Sequence, residues 1–133
     1  MATFNLEIIT PQKVAYNEQV EMVITRTVEG DMAVLANHAP LVTELAVGEM
    51  KIKREGKEEK YFIAGGFLEV SQNKTIILAD RVINAENINI ETARREKELY
   101  EAKLTKLTED RDIASTQKAL NEALTQIRIG EGM

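Results

Sequence analysis

The feature that most limits what this chain can fold into is a change of rhythm near residue 85. Before it, apolar residues recur at every second position. Phe4, Leu6 and Ile8 alternate with Asn5 and Glu7, and Val20, Met22, Ile24 and Val28 alternate with Glu21, Val23, Thr25 and Thr27, the period of half-buried strands. After it, Ala93, Lys97, Tyr100, Leu104 and Leu107 form a stripe at helical spacing. Ile113, Gln117, Leu120, Leu124 and Ile127 form a second stripe, with Ala114, Ala119 and Ala123 beside it. An α+β fold satisfies both halves: an N-terminal antiparallel beta sandwich over 1–84, then a C-terminal alpha-helical hairpin over 85–133.

Turn signals divide the first half. Thr10-Pro11 stops the opening strand, and Val14 with Tyr16 makes a brief second one before Asn17-Glu18 turns the chain into Val20–Val28. Gly30-Asp31 reads as a tight turn and Met32–Leu35 as the returning strand. Ala36-Asn37-His38-Ala39-Pro40 breaks that strand into a stiff, exposed corner, because Pro40 lacks a donor and holds Ala39 extended. Leu41–Leu45, Met50–Lys53, Tyr61–Ile63, Phe67–Val70 and Thr75–Ala79 complete the series, with Arg54-Glu55-Gly56-Lys57 as a hairpin tip. Asn87 or Asn89 caps the first helix, with Glu91 favourable to its dipole, and Thr108–Asp112 supplies caps for the second. Gly130-Glu131-Gly132 reads as a frayed end. A two-helix hairpin of about 45 residues buries little of its own surface and needs a second one.

Composition excludes several classes. Apolar residues reach 44% but aromatics only 5%, without tryptophan, so the core is aliphatic. A net charge of -5 argues against nucleic acid, which requires a basic surface. With no cysteine there is no disulfide, thiolate metal site or thiol nucleophile. No signal peptide and no apolar run near the length of a bilayer span are seen, so an intracellular chain is expected, reaching a membrane only through a partner.

The one histidine invites a test for catalysis. Asp31, His38 and Glu44 lie close in sequence, and a His general base oriented by a carboxylate is the arrangement they suggest. A lone histidine beside a turn proline more commonly has a structural or interface role, and no nucleophile motif accompanies it. One histidine and scattered carboxylates give no metal-ligand spacing. Gly65-Gly66 lacks the lysine and spacing of a phosphate loop and reads as a tight turn or a close backbone approach. Arg94-Arg95, surrounded by Glu91, Glu96 and Glu98, reads as a solvated salt-bridge face. No enzyme, metal or cofactor is expected.

Several of these segments occur in an order that resembles the epsilon subunits of bacterial F-type ATP synthases, over essentially the whole chain. They are Leu6–Pro11 with Val14 and Tyr16, Val20–Val23, Glu29-Gly30-Asp31, His38–Leu41, Ala64–Val70, Ile76–Asp80 and the Ala85-Glu86 switch into helix. The resemblance implies a non-catalytic rotor subunit of the central stalk that couples the c ring to the catalytic head through gamma. It also implies a peripheral place at the cytoplasmic face of the bacterial membrane. It assigns Glu29, Gly30, Asp31 and Met32, with His38, Ala39 and Pro40, to contacts with the c ring and gamma. The hairpin resembles the family's regulatory element, which blocks ATP hydrolysis when it extends toward the alpha and beta subunits. Arg111, Lys118 and Arg128 are then candidates for meeting acidic beta-subunit residues, or are surface charge for solubility.

Some members of the family bind ATP through a motif Ile/Leu-Asp-x-x-Arg-Ala. Here the stretch is Ile88-Asn89-Ile90-Glu91-Thr92-Ala93, with both polar anchors changed and only Arg94 or Arg95 nearby to compensate. Each charged hydrogen bond is worth roughly 1.5–3 kcal/mol, so ATP sensing by this route is not expected. Ala33 and Ala36-Asn37 replace the glycine and proline-glycine common in the family, and asparagine still tolerates a left-handed backbone. Outside the family, a stand-alone adaptor that binds a helical partner through the hairpin would use the same features. Nothing in the chain specifies the coupling ion.

Overall fold

The structure, a computed structural model, describes Ala2 to Gly132, which fall into two compact units that meet in sequence between Asn84 and Ala85. The first holds ten strands: β1 (Phe4–Ile9), β2 (Val14–Val20), β3 (Met22–Thr27), β4 (Gly30–Leu35), β5 (Leu41–Leu45), β6 (Gly48–Arg54), β7 (Lys57–Ile63), β8 (Gly66–Ser71), β9 (Lys74–Ala79) and β10 (Val82–Asn84). They pair in the order β10-β7-β6-β3-β5-β8-β9-β1-β2, with β4 on β3 alone, and fold over as a sandwich. Every pairing is antiparallel except β1 with β9. Alternation fills the core as it should: Phe4, Leu6 and Ile8 of β1 meet Met50 and Ile52 of β6, Leu68 of β8 and Ile77 of β9 in one aliphatic cluster.

Four local expectations change. Asn17 and Glu18 do not turn the chain; they continue β2 opposite Glu7 and Leu6, and Asn5 Nδ2 donates to Asn17 Oδ1 at 2.9 Å. The break falls at Glu21, which shifts the phase, so that β3 buries Val23, Thr25 and Thr27 while Met22 and Ile24 are half-buried. Val28-Glu29, not Gly30-Asp31, makes the next turn. Gly30 is the first residue of β4 opposite Thr27, and its φ of +119° is one that only glycine adopts without strain. The Thr27 hydroxyl secures this turn by donating to the Gly30 carbonyl at 2.7 Å and accepting from the Glu29 N–H at 3.1 Å. A short β10, which sequence rhythm did not suggest, pairs with β7.

The second unit opens with one 3-10 turn, Ala85–Asn87, followed by α1 (Ile90–Leu104) and α2 (Asp110–Glu131). Asn89 is the cap of α1, its Oδ1 accepting from the Thr92 N–H at 3.0 Å, with Glu91 in the first turn. Leu107 falls beyond α1, in the connection. Glu109 precedes α2 without a side-chain cap, so Asp110 and Asp112 supply the favourable charge. The apolar stripe of α2 is rotated from the expected one. Ala123, Thr125, Gln126 and Ile129 are buried, whereas Leu124 is 41% exposed. Nor does the end fray, for Gly130 and Glu131 remain helical.

Candidate interaction surfaces

The residues drawn together by sequence at the corner lie at two places. Val28 and Glu29 form the exposed tip of the β3–β4 ribbon, and Asp31 sits beside them in an exposed ion pair with Arg26 at 3.3 Å. His38, Ala39 and Pro40 follow the other end of β4, where Leu35 pairs with Met22. Five residue steps of strand separate Gly30 from Leu35, about 17 Å. Met32, half-buried within β4, packs against the core between these places. Asn37 has a φ of 65°, the left-handed backbone its short polar side chain tolerates. His38 Nδ1 lies 2.7 Å from the Ala39 carbonyl, and Glu44 belongs to the tip end, its carbonyl accepting from the Val28 N–H at 3.1 Å. No His–carboxylate dyad is therefore assembled. Among the described residues no group of three His, Cys, Asp or Glu is placed to hold a metal.

On the helices, Arg111, Lys118 and Arg128 are all exposed. Arg111 and Lys118, seven residues apart, share a face, while Arg128 is turned about 80° from it. The stretch that stands where the family's nucleotide motif would be is engaged in the hairpin itself. Asn89 caps α1, Ala93 is buried, and Arg94 donates to Glu131 at 2.7 Å; Arg95 is exposed.

The surface that sequence rhythm missed is the open face of the β5-β8-β9-β1 sheet. Phe67 of β8 stands directly opposite Leu78 of β9, which is in turn opposite Ile9 of β1. Phe67 is 54% exposed, Leu78 52%, and Val42 of β5, in the neighbouring row, 68%. Glutamates border this apolar strip: Glu44 lies opposite Phe67, Glu69 opposite Val42, and Glu7 opposite the half-buried Ile76. Large exposed apolar residues contiguous across three strands, ringed by charge, mark an interaction surface. A signal was present in Phe67-Leu68 and Ile76-Ile77-Leu78, where apolar residues occupy both faces of a strand that needs only one for the core. Among the described residues no helix is long and apolar enough to cross a membrane.

Residues 3–85 match the family profile of the ATP synthase, Delta/Epsilon chain, beta-sandwich domain. Over 131 residues the chain is 59% identical to the ATP synthase epsilon chain, sodium ion specific, of Propionigenium modestum, covering 98% of this chain and 96% of the relative. The ATP synthase epsilon chain of Caldicellulosiruptor saccharolyticus is 37% identical over the same length and coverage. A chain in the Euglena gracilis mitochondrial ATP synthase, OSCP/F1/c-ring in rotational state 1, superposes with a TM-score of 0.81 at 27% identity, covering 99% of this chain and 81% of that one.

Proposed function

This chain belongs to the ATP synthase epsilon-chain family, whose members are non-catalytic subunits of the complex, and on that premise we propose that it is a rotor subunit of the central stalk. In this reading the open sheet face binds gamma, the Val28–Asp31 tip meets the c ring, and the helical hairpin restrains ATP hydrolysis by extending toward the alpha and beta subunits. Any place at a membrane comes through these partners, on its cytoplasmic side. The observation that carries the proposal is the glutamate-bordered strip of Val42, Phe67 and Leu78, which selects a partner with an apolar centre and a basic rim. A many-stranded sandwich suits the task mechanically. Torque passes through several contacts on a rigid ladder, which one helix does not offer. The altered stretch at Ile88–Ala93, with Asn89 capping α1 and the adjacent Arg94 paired to Glu131, argues against ATP sensing there.

Co-purification with gamma tests the reading. Burying a Phe or Leu side chain contributes about 1.5–3 kcal/mol, so Phe67→Glu or Leu78→Glu is expected to weaken gamma binding by about tenfold or more. Both positions are exposed, and the fold should tolerate the change. Unaltered gamma affinity in both variants would remove this face from the interface.

A further inference from the structure

Gly130 is helical, one residue before the end of α2, where only proline is less favourable than glycine. What the missing side chain makes room for is visible across the hairpin. A Cβ at Gly130 would stand 2.7 Å from Ile90 Cγ1, 3.0 Å from Ile90 Cδ1 and 3.4 Å from Ile88 Cγ2. Ile90 is the first residue of α1, and Ile88 immediately precedes its Asn89 cap. One residue further, Glu131 Oε1 accepts from Arg94 Nη2 at 2.7 Å. Both contacts join the start of α1 to the end of α2, at the mouth of the hairpin opposite its connection.

Gln126, one turn before Gly130, is 5% exposed, and its Nε2 has no hydrogen-bond partner among the described residues. We propose that the Gly130 seat for Ile88 and Ile90, with the Arg94–Glu131 pair beside it, is a latch that sets how readily the two helices part. The seat is the stronger part. The side chains of Arg94 and Glu131 are 57% and 50% exposed, so water and salt weaken their attraction. The latch concerns closure of the hairpin alone; its effect on hydrolysis rests on the regulatory reading above.

The test uses the full chain, which has no cysteine of its own, with probe cysteines introduced at the exposed positions Glu98 and Asn121 to report the distance between the helices. Gly130→Ala is expected to raise the open fraction about tenfold, although alanine is the better helix former. Ile90→Ala empties the same seat without touching α2 and is expected to act in the same direction. Arg94→Glu is expected to raise the open fraction about two- to fivefold, and the double exchange Arg94→Glu with Glu131→Arg to reverse it. Circular dichroism checks that the helices persist. An unchanged or reduced open fraction in both Gly130→Ala and Ile90→Ala overturns the latch, and failure of the double exchange to reverse removes the ion pair from it. If the hairpin opens in Gly130→Ala while hydrolysis by the reconstituted complex is unaltered, the latch stands and the regulatory reading fails.

Discussion

Tyr16 and Tyr61 meet edge to face, with ring centroids 6.0 Å apart, where β2 and β7 approach from opposite ends of the strand order. Arg54 lies over the Tyr16 ring and pairs with Glu18 at 3.3 Å and Glu59 at 3.5 Å, while the Tyr61 hydroxyl donates to Glu59 at 2.8 Å. Side chains here close a gap that no ladder of hydrogen bonds spans. The two hydroxyls are not equivalent, because that of Tyr16 is buried without a partner among the described residues. Tyr61→Phe should lower stability by about 1 kcal/mol, and Tyr16→Phe should cost nothing or stabilise, as read from urea midpoints. Burial, and then the charge of Glu59, pushes Tyr16 from 10.0 up to about 12; burial, and then its bond to Glu59, raises Tyr61 too. A raised folded value means the stability is fully present below about pH 10, where the unfolded phenol begins to titrate, and is lost as pH rises toward 12. Tyr16→Phe should flatten that alkaline loss. The cluster was not legible in sequence, since residues 16, 54, 59 and 61 come together only through strand pairing.

Strands and helices were more legible than their boundaries. Period-2 and period-3.6 patterns located nearly every element, because burial on one face imposes them. The failures have local causes. A one-residue break at Glu21 inverted the face of β3, and Asn17-Glu18, a turn by composition, was held in β2 by pairing with β1. The corner looked like one site because its residues are consecutive, yet β4 carries Glu29 and His38 to opposite ends of a ribbon. Gly65-Gly66 reads in sequence as a tight turn or a close backbone approach, and Gly66 proves to be the second. Gly66 has a φ of +135°, and a Cβ there would collide with the Leu78 carbonyl across the β8–β9 ladder. Gly66→Ala should therefore cost about 3 kcal/mol or more and pull apart the two strands that present Phe67 and Leu78. Urea unfolding and the gamma affinity of the folded fraction measure the two effects. If the stability loss is under about 1 kcal/mol, the close approach is not a constraint.

At the scale of the molecule, a strand-rich unit and a helical unit have different physical characters. The sandwich has a continuous aliphatic core and an outward apolar strip. The hairpin has an exposed Leu124, a buried Gln126 whose Nε2 has no partner among the described residues, and a glycine seat with an ion pair at its mouth. A rigid element for assembly and a marginal one for regulation is the division these differences favour, since only near-balanced states respond to modest signals. The fold class and the family were legible from order and rhythm. The apolar sheet face was only hinted at, by the apolar residues on both faces of β8 and β9; that Phe67 and Leu78 stand side by side in the open follows from strand pairing. The most direct test is ATP hydrolysis by the reconstituted complex with the full chain and with a chain ending at Asn84, checked by circular dichroism for retained sheet. The account predicts faster hydrolysis with the shorter chain and undiminished binding to gamma. Equal hydrolysis with normal binding would contradict the regulatory role of the helices, and a folded sandwich that no longer binds gamma would contradict the division of labour itself.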